Sequence, residues 1–469
     1  MRNAFQKDAS IMRFAAPSTK IAVLGASALL LSGVFLLFKT LLEHVTTEYL
    51  QDTTLLEYFI HQSEQVSKNL LIAGMIAIII SIVVRITMSD TTRIRLMVKK
   101  GLFCYDYGNP LNLKENELLP KIRCKKNALG VFELTITATT ATVEEIQNLS
   151  SSISSSLNKK RYKQYAVTQT ITDIAFNEVT FRIEDVTIDK SLVINDVQEL
   201  KPKDPTKLIV QKGTYIDLTT SGSILVAGKT RSGKSTGTIA LLLQVLLAGR
   251  DDFGSEIIIV DPKQAELSRL PHVYTLDENG EATAILDAVK GYADTIVKRQ
   301  KILNDMSEKK GDAVKWWDAG FHPSFIFIDE YVACRTMFPK RTSKDNTDYS
   351  LATFDALIKR IVTMGASAGC YAIISIAEAS VDEGGLPSML RSAMTTKILF
   401  KPTLTEGRFI WDSEKLKDVN NGRAYNAGDA WFSSTDGIHD SVSYVHFPIM
   451  NFPVYRELGK LLDSYYNKK

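Results

Sequence analysis

Gly228-Lys229-Thr230-Arg231-Ser232-Gly233-Lys234-Ser235 is the segment that sets the architecture of the second half of this 469-residue chain. It fits the pattern Gly-x4-Gly-Lys-Ser/Thr without deviation, and that pattern forms a phosphate-binding loop where a strand leads into a helix. Both elements are predicted here, since residues 223–227 read as a short apolar strand and residues 236–247 as an apolar run of helix length. The sequence therefore predicts a P-loop.

The residue types of the loop match the chemistry of a nucleoside triphosphate. Glycines allow backbone N–H groups to surround the phosphates, and the start of the helix adds a partial positive charge. We expect Lys234 to reach the β- and γ-phosphates of ATP and the Ser235 hydroxyl to ligate Mg²⁺. The predicted ATP-binding residues are Gly228, Lys229, Thr230, Arg231, Ser232, Gly233, Lys234, Ser235 and Thr236.

A second apolar strand ends in two acids, in the run Phe325-Ile326-Phe327-Ile328-Asp329-Glu330. Hydrolysis of a bound triphosphate needs a carboxylate at the end of a neighbouring strand. We expect Asp329 to hold the hydration shell of Mg²⁺ and Glu330 to orient or deprotonate the attacking water. The predicted catalytic residues are Lys234, Asp329 and Glu330, and the predicted metal ligands are Ser235 and Asp329, so an ATPase is favoured over a passive nucleotide binder.

Three further apolar runs predict strands of the same sheet, at residues 256–260, 371–376 and 396–400. Amphipathic helical stretches at residues 282–303 and 354–364 separate them. This alternation predicts an α/β fold, a doubly wound P-loop NTPase with a parallel sheet. We expect more than one strand between the phosphate loop and the acidic strand.

Composition excludes several classes of protein. Hydrophobic residues at 45% and charged residues at 23% are ordinary for a globular chain, which argues against disorder and against a many-pass membrane protein. The formal net charge of +3 does not by itself indicate a nucleic-acid binder. Neither the histidines nor the scattered cysteines show metal-ligand spacing, and we interpret Cys104, Cys124, Cys334 and Cys370 as reduced, buried thiols.

Two apolar segments, at about residues 21–38 and 70–84, predict a transmembrane helical hairpin. Basic residues flank the pair on the outer sides (Arg2, Lys7, Arg13 and Lys20, then Arg85, Arg93, Arg95, Lys99 and Lys100), and the connecting loop carries Glu43, Glu48, Asp52, Glu57 and Glu64. The positive-inside rule therefore predicts a cell-membrane protein with two spans and with cytoplasmic N- and C-termini. A signal peptide and a pair of buried core helices are the alternatives.

Between the predicted membrane hairpin and the predicted P-loop domain, the pattern indicates a small α+β domain. Alternating residues at 131–139, 165–171 and 178–183 predict strands, and residues 143–157 predict a Ser-rich helix. The basic run Lys159, Lys160, Arg161 and Lys163 either contacts DNA phosphates or is a solvated surface. A Pro-containing linker at residues 201–205 completes a division into residues 1–100, 101–204 and 205–469.

The motor region resembles the FtsK/SpoIIIE-type DNA translocase family. The similarity lies in Ile259-Val260-Asp261-Pro262-Lys263-Gln264-Ala265-Glu266-Leu267, Pro271-His272-Val273, Phe325–Glu330, Gly365–Gly369, Ser380-Val381-Asp382 and Gly428-Asp429-Ala430. It covers about residues 205–440, in the order in which the family carries these motifs. The resemblance implies a RecA/FtsK-like fold and a homo-hexameric ring that threads DNA, with ATP bound between subunits.

This sequence also departs from the family's pattern. It has Ala377-Glu378 where these motors commonly carry a Gln-Arg pair, and Ala366-Ser367 where an Arg usually lies. The family's sensor and trans-acting arginine are therefore not assigned here, and Arg391, Lys397 and Arg408 are the candidate substitutes. No winged-helix domain is expected after the motor.

A two-helix anchor, a small middle domain and a motor resemble the coupling proteins of Gram-positive integrative and conjugative elements. The resemblance implies sequence-independent binding of single-stranded DNA and contact with a relaxase and with conjugation-channel proteins. A protein-secretion ATPase of the same superfamily and an ATP-binding membrane scaffold without turnover are the alternatives. The sequence leaves two side-chain roles open: Trp316, Trp317 and Phe321 either stack on bases or pack internally, and Lys263 is either a pore contact or a surface charge.

Overall fold

A computed structural model gives the fold of residues 15–49, 54–103, 109–111, 113, 118–128, 130–158, 160–340, 348–377, 386–416, 419 and 425–467. The chain divides into two compact units, Met1–Thr187 and Ile188–Lys469. The boundary lies before the predicted linker at residues 201–205. The reason is that Val193–Ile194 (β5) pairs with Ile449–Met450 (β16), near the end of the second unit.

The first unit begins with two long antiparallel helices, α1 (Pro17–Tyr49) and α2 (Thr54–Thr87). Both are long and apolar enough to cross a membrane. They extend well beyond the predicted spans, so most of the predicted connecting loop is helical. A hydropathy pattern detects only the apolar part of each helix. The polar parts of the two helices are also helical and contact each other, as in the ion pair of Lys39 with Glu64 at 2.9 Å.

Small residues at seven-residue spacing line the contact between the two helices: Ser18, Gly25 and Ser32 on α1, and Ser67, Gly74 and Ser81 on α2. The Ser32 hydroxyl donates to the Ser67 carbonyl at 2.8 Å, and the Ser67 hydroxyl donates back to the Ser32 carbonyl at 2.9 Å. A Cβ atom on Gly25 would lie 2.9 Å from the Gly74 carbonyl oxygen. Small side chains thus allow close backbone approach, as is typical of helix pairs in lipid.

A four-stranded antiparallel sheet follows, with the order β1-β2-β4-β3. Its elements are α3 (Asp90–Phe103), β1 (Lys121–Lys126), β2 (Phe132–Thr137), α4 (Val143–Gln147), α5 (Ser150–Ser156), β3 (Tyr165–Thr172) and β4 (Glu178–Asp185). Buried residues of the helices and of alternate strand positions form its core, among them Val98, Leu134, Ile153 and Phe181. The predicted strands are present, the predicted single helix is two short helices, and β1 is additional.

The basic run of this domain lies beside the start of α3. Arg161 pairs with the Asp90 carboxylate at 2.7 Å, and the Tyr162 hydroxyl donates to the same carboxylate at 2.6 Å. Arg161 nevertheless remains 57% exposed. Lys159 lies outside the described residues.

The second unit is built on a mixed sheet with the order β10-β9-β11-β12-β8-β13-β14-β15 in the described residues. Its strands are β8 (Ile224–Ala227), β9 (Ile257–Val260), β10 (Val273–Tyr274), β11 (Ser324–Ile328), β12 (Cys370–Ile376), β13 (Thr396–Phe400), β14 (Asp429–Ser433) and β15 (Ser443–His446). The first six in the sheet order are parallel, and β14 and β15 extend the sheet antiparallel. The predicted α/β P-loop fold is confirmed. One strand, β12, lies between β8 and β11, so the expectation of more than one is wrong.

Helices cover both faces of this sheet. One face packs α6 (Lys234–Ala248) and α12 (Val454–Asn467), and the other packs α7 (Thr283–Lys310) and α9 (Leu351–Met364). Shorter elements complete the unit: the hairpin β6 (Lys207–Gln211) and β7 (Thr214–Asp217), α8 (Tyr331–Thr336), α10 (Ser388–Ala393) and α11 (Leu404–Ile410). The central strands are buried on both faces, which explains their continuous apolar sequences.

A buried arginine ties α7 to loops at the edge of the sheet where the parallel strands begin. Arg299 is fully buried; its guanidinium pairs with Asp251 at 3.1 Å and donates to the carbonyls of Ala368 at 2.9 Å and His322 at 2.7 Å. It also lies over the Phe321 ring, 4.6 Å from its centroid. Removing one partner of a buried ion pair is strongly destabilising, because the other charge is then left buried without a counter-charge.

We expect Arg299→Ala to lower the free energy of unfolding of the second unit by about 3–5 kcal/mol, because it leaves the Asp251 carboxylate buried without its cation. All four tryptophans lie in this unit, so urea unfolding of the detergent-solubilised chain can be followed by tryptophan fluorescence. Lys298→Ala, at the neighbouring exposed position of α7, is the matched control. Equal unfolding midpoints for the two variants would contradict the role of Arg299.

Candidate functional site

The predicted phosphate loop connects the end of β8 to the start of α6. Gly233, the residue before α6, has φ +95°, and a Cβ atom there would lie 2.4 Å from the Gly428 backbone nitrogen. Gly228 has φ +151°, and a Cβ atom there would lie 2.9 Å from the Ser232 hydroxyl oxygen. Both positions therefore require glycine, for conformation and for space.

The loop holds a buried polar group that lacks a partner within the described part of the chain. Ser232 is 1% exposed, and its hydroxyl makes no hydrogen bond to any described residue. Its carbonyl accepts a hydrogen bond from the Gly428 N–H at 3.0 Å. Buried polar groups are normally hydrogen-bonded, so an unpaired hydroxyl inside a glycine-lined turn fits a site for a polar ligand such as a phosphate.

Only some of the predicted loop residues lie in the interior of the structure. Gly228, Ser232 and Lys234 are buried, and Gly233 and Ser235 are half-buried. The exposed members of the predicted set are Lys229, Thr230, Arg231 and Thr236. Arg231 has φ +63°, an uncommon conformation for a non-glycine residue, which is consistent with a loop shaped for a ligand.

The acidic pair lies next to Lys234. Strand β11 ends at Ile328, and the Asp329 N–H continues the parallel pairing by donating to the Val260 carbonyl at 3.0 Å. The Lys234 ammonium donates to Oε1 of Glu330 at 2.8 Å, and the two side chains are only 8% and 14% exposed. The P-loop lysine and the predicted water-activating acid are thus in direct contact.

The pKa values of the Asp329 and Glu330 carboxyl groups are shifted in opposite directions. Burial, together with the charges of Glu330 and Asp261, raises the pKa of Asp329, against the opposing effect of Lys234. Burial alone would also raise the pKa of Glu330, but hydrogen bonds and charge from Lys234 and Lys263 outweigh it and lower that pKa. Glu330 is therefore held in its ionised form, which is the form that a general base requires.

Lys263 is a functional candidate whose role the sequence left open. Its ammonium lies 3.2 Å from Oε1 of Glu330, and its side chain is 48% exposed. The segment that carries it is organised by Asp261, a fully buried carboxylate that accepts N–H bonds from Lys263, Ala265 and Ser268 at 3.0–3.1 Å. The resemblance marked this segment, but only the structure assigns Lys263 a partner.

Two other neighbours of the site come from the end of the chain. The resemblance marked Gly428 and Asp429 without giving them a role. Gly428 bonds to the loop at Ser232, and Asp429 is buried and contacts His446 Nδ1 as well as the Tyr444 hydroxyl at 2.7 Å. Burial would raise the pKa of Asp429, but these hydrogen bonds lower it.

Tyr455, on α12, was not predicted. Its pKa is raised by burial and by the charges of Glu266, Asp329 and Asp261. No motif in the sequence links this position to the P-loop.

The candidate substitutes for the family's sensor and trans-acting arginine have mostly structural contacts. Arg391 donates to the Phe409 carbonyl at 2.7 Å and Lys397 to the Ile410 carbonyl at 3.2 Å, so both bond to the end of α11. Arg408 is exposed. Glu378 and the motif Ser380-Val381-Asp382 lie outside the described residues.

The aromatic residues considered for base stacking pack internally. Trp316 is fully buried, and Phe321 is 1% exposed and stacks on Phe253 with ring centroids 4.3 Å apart. Trp317 is half-buried and packs against the same core. Of the two predicted roles, base stacking and internal packing, these side chains have the second.

The described cysteines, Cys124, Cys334 and Cys370, are free. Burial raises the pKa of the Cys370 thiol to about 11 and that of the Cys334 thiol to about 12, so both remain protonated at neutral pH. Cys104 lies outside the described residues.

We expect Gly233→Ala to weaken ATP binding by at least about tenfold, because the added methyl group would displace the Gly428 backbone and occupy a left-handed position. Titration of the solubilised chain with a fluorescent ATP analogue measures this. Gly291→Ala is the matched control, since nothing lies within 4 Å of its Cβ position on α7. Retained affinity in Gly233→Ala would show that the loop does not enclose the phosphates.

No family model matches the chain, but some curated proteins are similar to it in sequence. The chain is 26% identical over 152 residues to the FtsK domain-containing protein YdcQ of Bacillus subtilis (strain 168), a match that covers 32% of this chain and 28% of that protein. It is 27% identical over 215 residues to the DNA translocase FtsK of Helicobacter pylori (strain J99), covering 43% of this chain and 24% of that protein.

Among solved structures, that of the pCW3 conjugation coupling protein TcpA, monomer form with ATPγS, aligns with 80% of this chain and 99% of that chain, at 14% identity and a TM-score of 0.43. The two curated matches span about a quarter of the length of those relatives. They confirm the predicted resemblance to FtsK-type translocases. The chain is thus similar in sequence to FtsK-type proteins, and its second unit has a P-loop fold.

Proposed function

We propose that the chain is a membrane-anchored, ATP-driven DNA translocase that acts as the coupling protein of a conjugative DNA transfer system. The observation that carries the proposal is the contact of Lys234 with Glu330 beside a glycine-lined loop, in a domain similar to proteins named DNA translocases. A loop that binds a triphosphate and an ionised acid next to it are the two parts that ATP hydrolysis requires.

The contacts of the site suggest how its residues divide the work. The loop between Gly228 and Gly233 receives the phosphates of ATP, and Lys234 exchanges its pairing with Glu330 for the β- and γ-phosphates. Glu330, released from that cation, orients the attacking water and accepts its proton. Ser235 and Asp329 would hold Mg²⁺, which neutralises charge on the phosphates.

Several features support the membrane part of the proposal. The helices α1 and α2 are apolar over the length of a bilayer core, and their contact is made by small residues. Lys20 and Arg85 are exposed at the same end of the hairpin, which favours a cytoplasmic location for that end and for the units that follow. Arg2, Lys7 and Arg13 lie outside the described residues.

The DNA part of the proposal draws on the names of the curated relatives and on the family motifs. We propose a homo-hexamer that moves single-stranded DNA without sequence preference, with a relaxase and channel proteins as partners. Arg161, 57% exposed in the first unit, is an available contact for DNA phosphates.

We expect Lys234→Ala to abolish ATP turnover through loss of phosphate contacts, and Glu330→Gln to retain ATP binding while turnover falls by at least about a hundredfold. Steady-state phosphate release from the solubilised chain, with and without single-stranded DNA, measures both. Glu308→Gln is the matched control, because Glu308 is exposed near the far end of α7.

The same assay separates the alternatives. DNA-stimulated turnover in the unmodified chain supports the translocase, whereas turnover stimulated by a secreted protein and indifferent to DNA would favour a protein-secretion ATPase. Bound ATP without any turnover would favour a scaffold. A Glu330→Gln variant that cycles ATP normally would remove Glu330 from the mechanism.

DNA affinity should fall steeply with salt and ignore sequence, because contacts to phosphates release counterions and carry no base information. Fluorescence anisotropy with labelled oligonucleotides of equal length and different sequence, from 50 to about 200 mM salt, measures both properties. A preference for one sequence that persists at high salt would contradict backbone binding.

A further inference from the structure

Two lysines share one oxygen of the acid that the proposed mechanism uses as its base. Lys234 contacts Oε1 of Glu330 at 2.8 Å and Lys263 contacts the same atom at 3.2 Å. They approach from different parts of the fold, since Lys234 begins α6 and Lys263 follows β9. The carboxylate is therefore held by two cations, only one of which belongs to the phosphate loop.

Lys234 and Lys263 are expected to respond differently when ATP binds. Lys234 has a phosphate to contact, so its bond to Glu330 is temporary under the proposed mechanism. The backbone of Lys263 is tied to the buried Asp261 carboxylate, which also holds Ala265 and Ser268. The backbone of Lys263 is therefore held by contacts that do not involve Lys234.

We propose that Lys263 is a positioning residue for hydrolysis, which keeps the Glu330 carboxylate oriented toward the attacking water after Lys234 has moved to the phosphates. This inference rests on the proposed function and adds a member to the same site. Glu330 needs such support because its backbone has φ +48°, a conformation that a non-glycine residue adopts only when its surroundings hold it there. A general base that rotates away from the water loses most of its effect.

The variant that tests the role is Lys263→Met, which keeps an unbranched side chain only one atom shorter and removes its charge. We expect kcat to fall by about tenfold or more while KM and ATP affinity stay within about twofold, because Lys263 supports the base and does not hold the nucleotide. Lys263→Arg, which restores a cation, should recover most of the lost kcat. Arg269→Met is the matched control on the same exposed segment.

The division of the effect between kcat and KM provides a readout that loss of packing alone would not give. A disturbed site should bind ATP more weakly and should not recover with arginine, whereas loss of the cation beside Glu330 should lower kcat alone and should be reversed in Lys263→Arg.

Three results would overturn the proposal: unchanged kcat in Lys263→Met, a rise in turnover that would make Lys263 a restraint, or a fall that Lys263→Arg does not recover. These results are distinguishable from failure of the proposed function. In that case the unmodified chain would show no ATP turnover, or turnover insensitive to Lys234→Ala and to DNA. Thermal unfolding of each variant verifies that its fold is intact.

Discussion

The parallel pairing of β8, β12 and β11 is the constraint on which the site depends. In that register Ala227 lies beside Ile376, and Ile328 lies beside Ile374, so the two chemical motifs emerge on either side of one buried strand. The separation is short enough for Lys234, at the start of the following helix, to reach Glu330 across the end of β12. A shift of register by one residue would turn the side chains of the shifted strand to the opposite face of the sheet and separate the two groups.

The phosphate loop is also contacted from the side of β8 that faces away from β12. Strand β13 pairs with β8, and β14 extends the sheet, which brings Gly428 against Ser232 and within 2.4 Å of a Cβ atom on Gly233. Asp429, buried and bonded to His446 and Tyr444, anchors that contact. The phosphate loop is thus enclosed by segments about 200 residues apart in sequence, so its shape depends on the whole second unit.

The sequence patterns predicted those parts of the molecule that depend on interactions between residues close together in the chain. The P-loop, the acids that follow β11 and the alternating strands of the middle domain depend on short-range geometry, and each was readable in advance. Strand β1, with the sequence Lys-Ile-Arg-Cys-Lys-Lys, was missed because its core-facing positions are few and its charges suggest a loop. Lys263 and Gly428 were not assigned roles because their contacts arise only when distant segments meet.

The seam between α1 and α2 has a mechanical consequence. Its bonded pairs, Ser18 with Ser81 and Ser32 with Ser67, lie 14 residues apart along each of the antiparallel helices, which is about four helical turns. A force that drags one helix along the other loads these contacts in shear, so they must break together. Peeling would instead rupture them one after another at lower force. A helix pair built this way resists a force along its axes better than a force that separates the helices from one end.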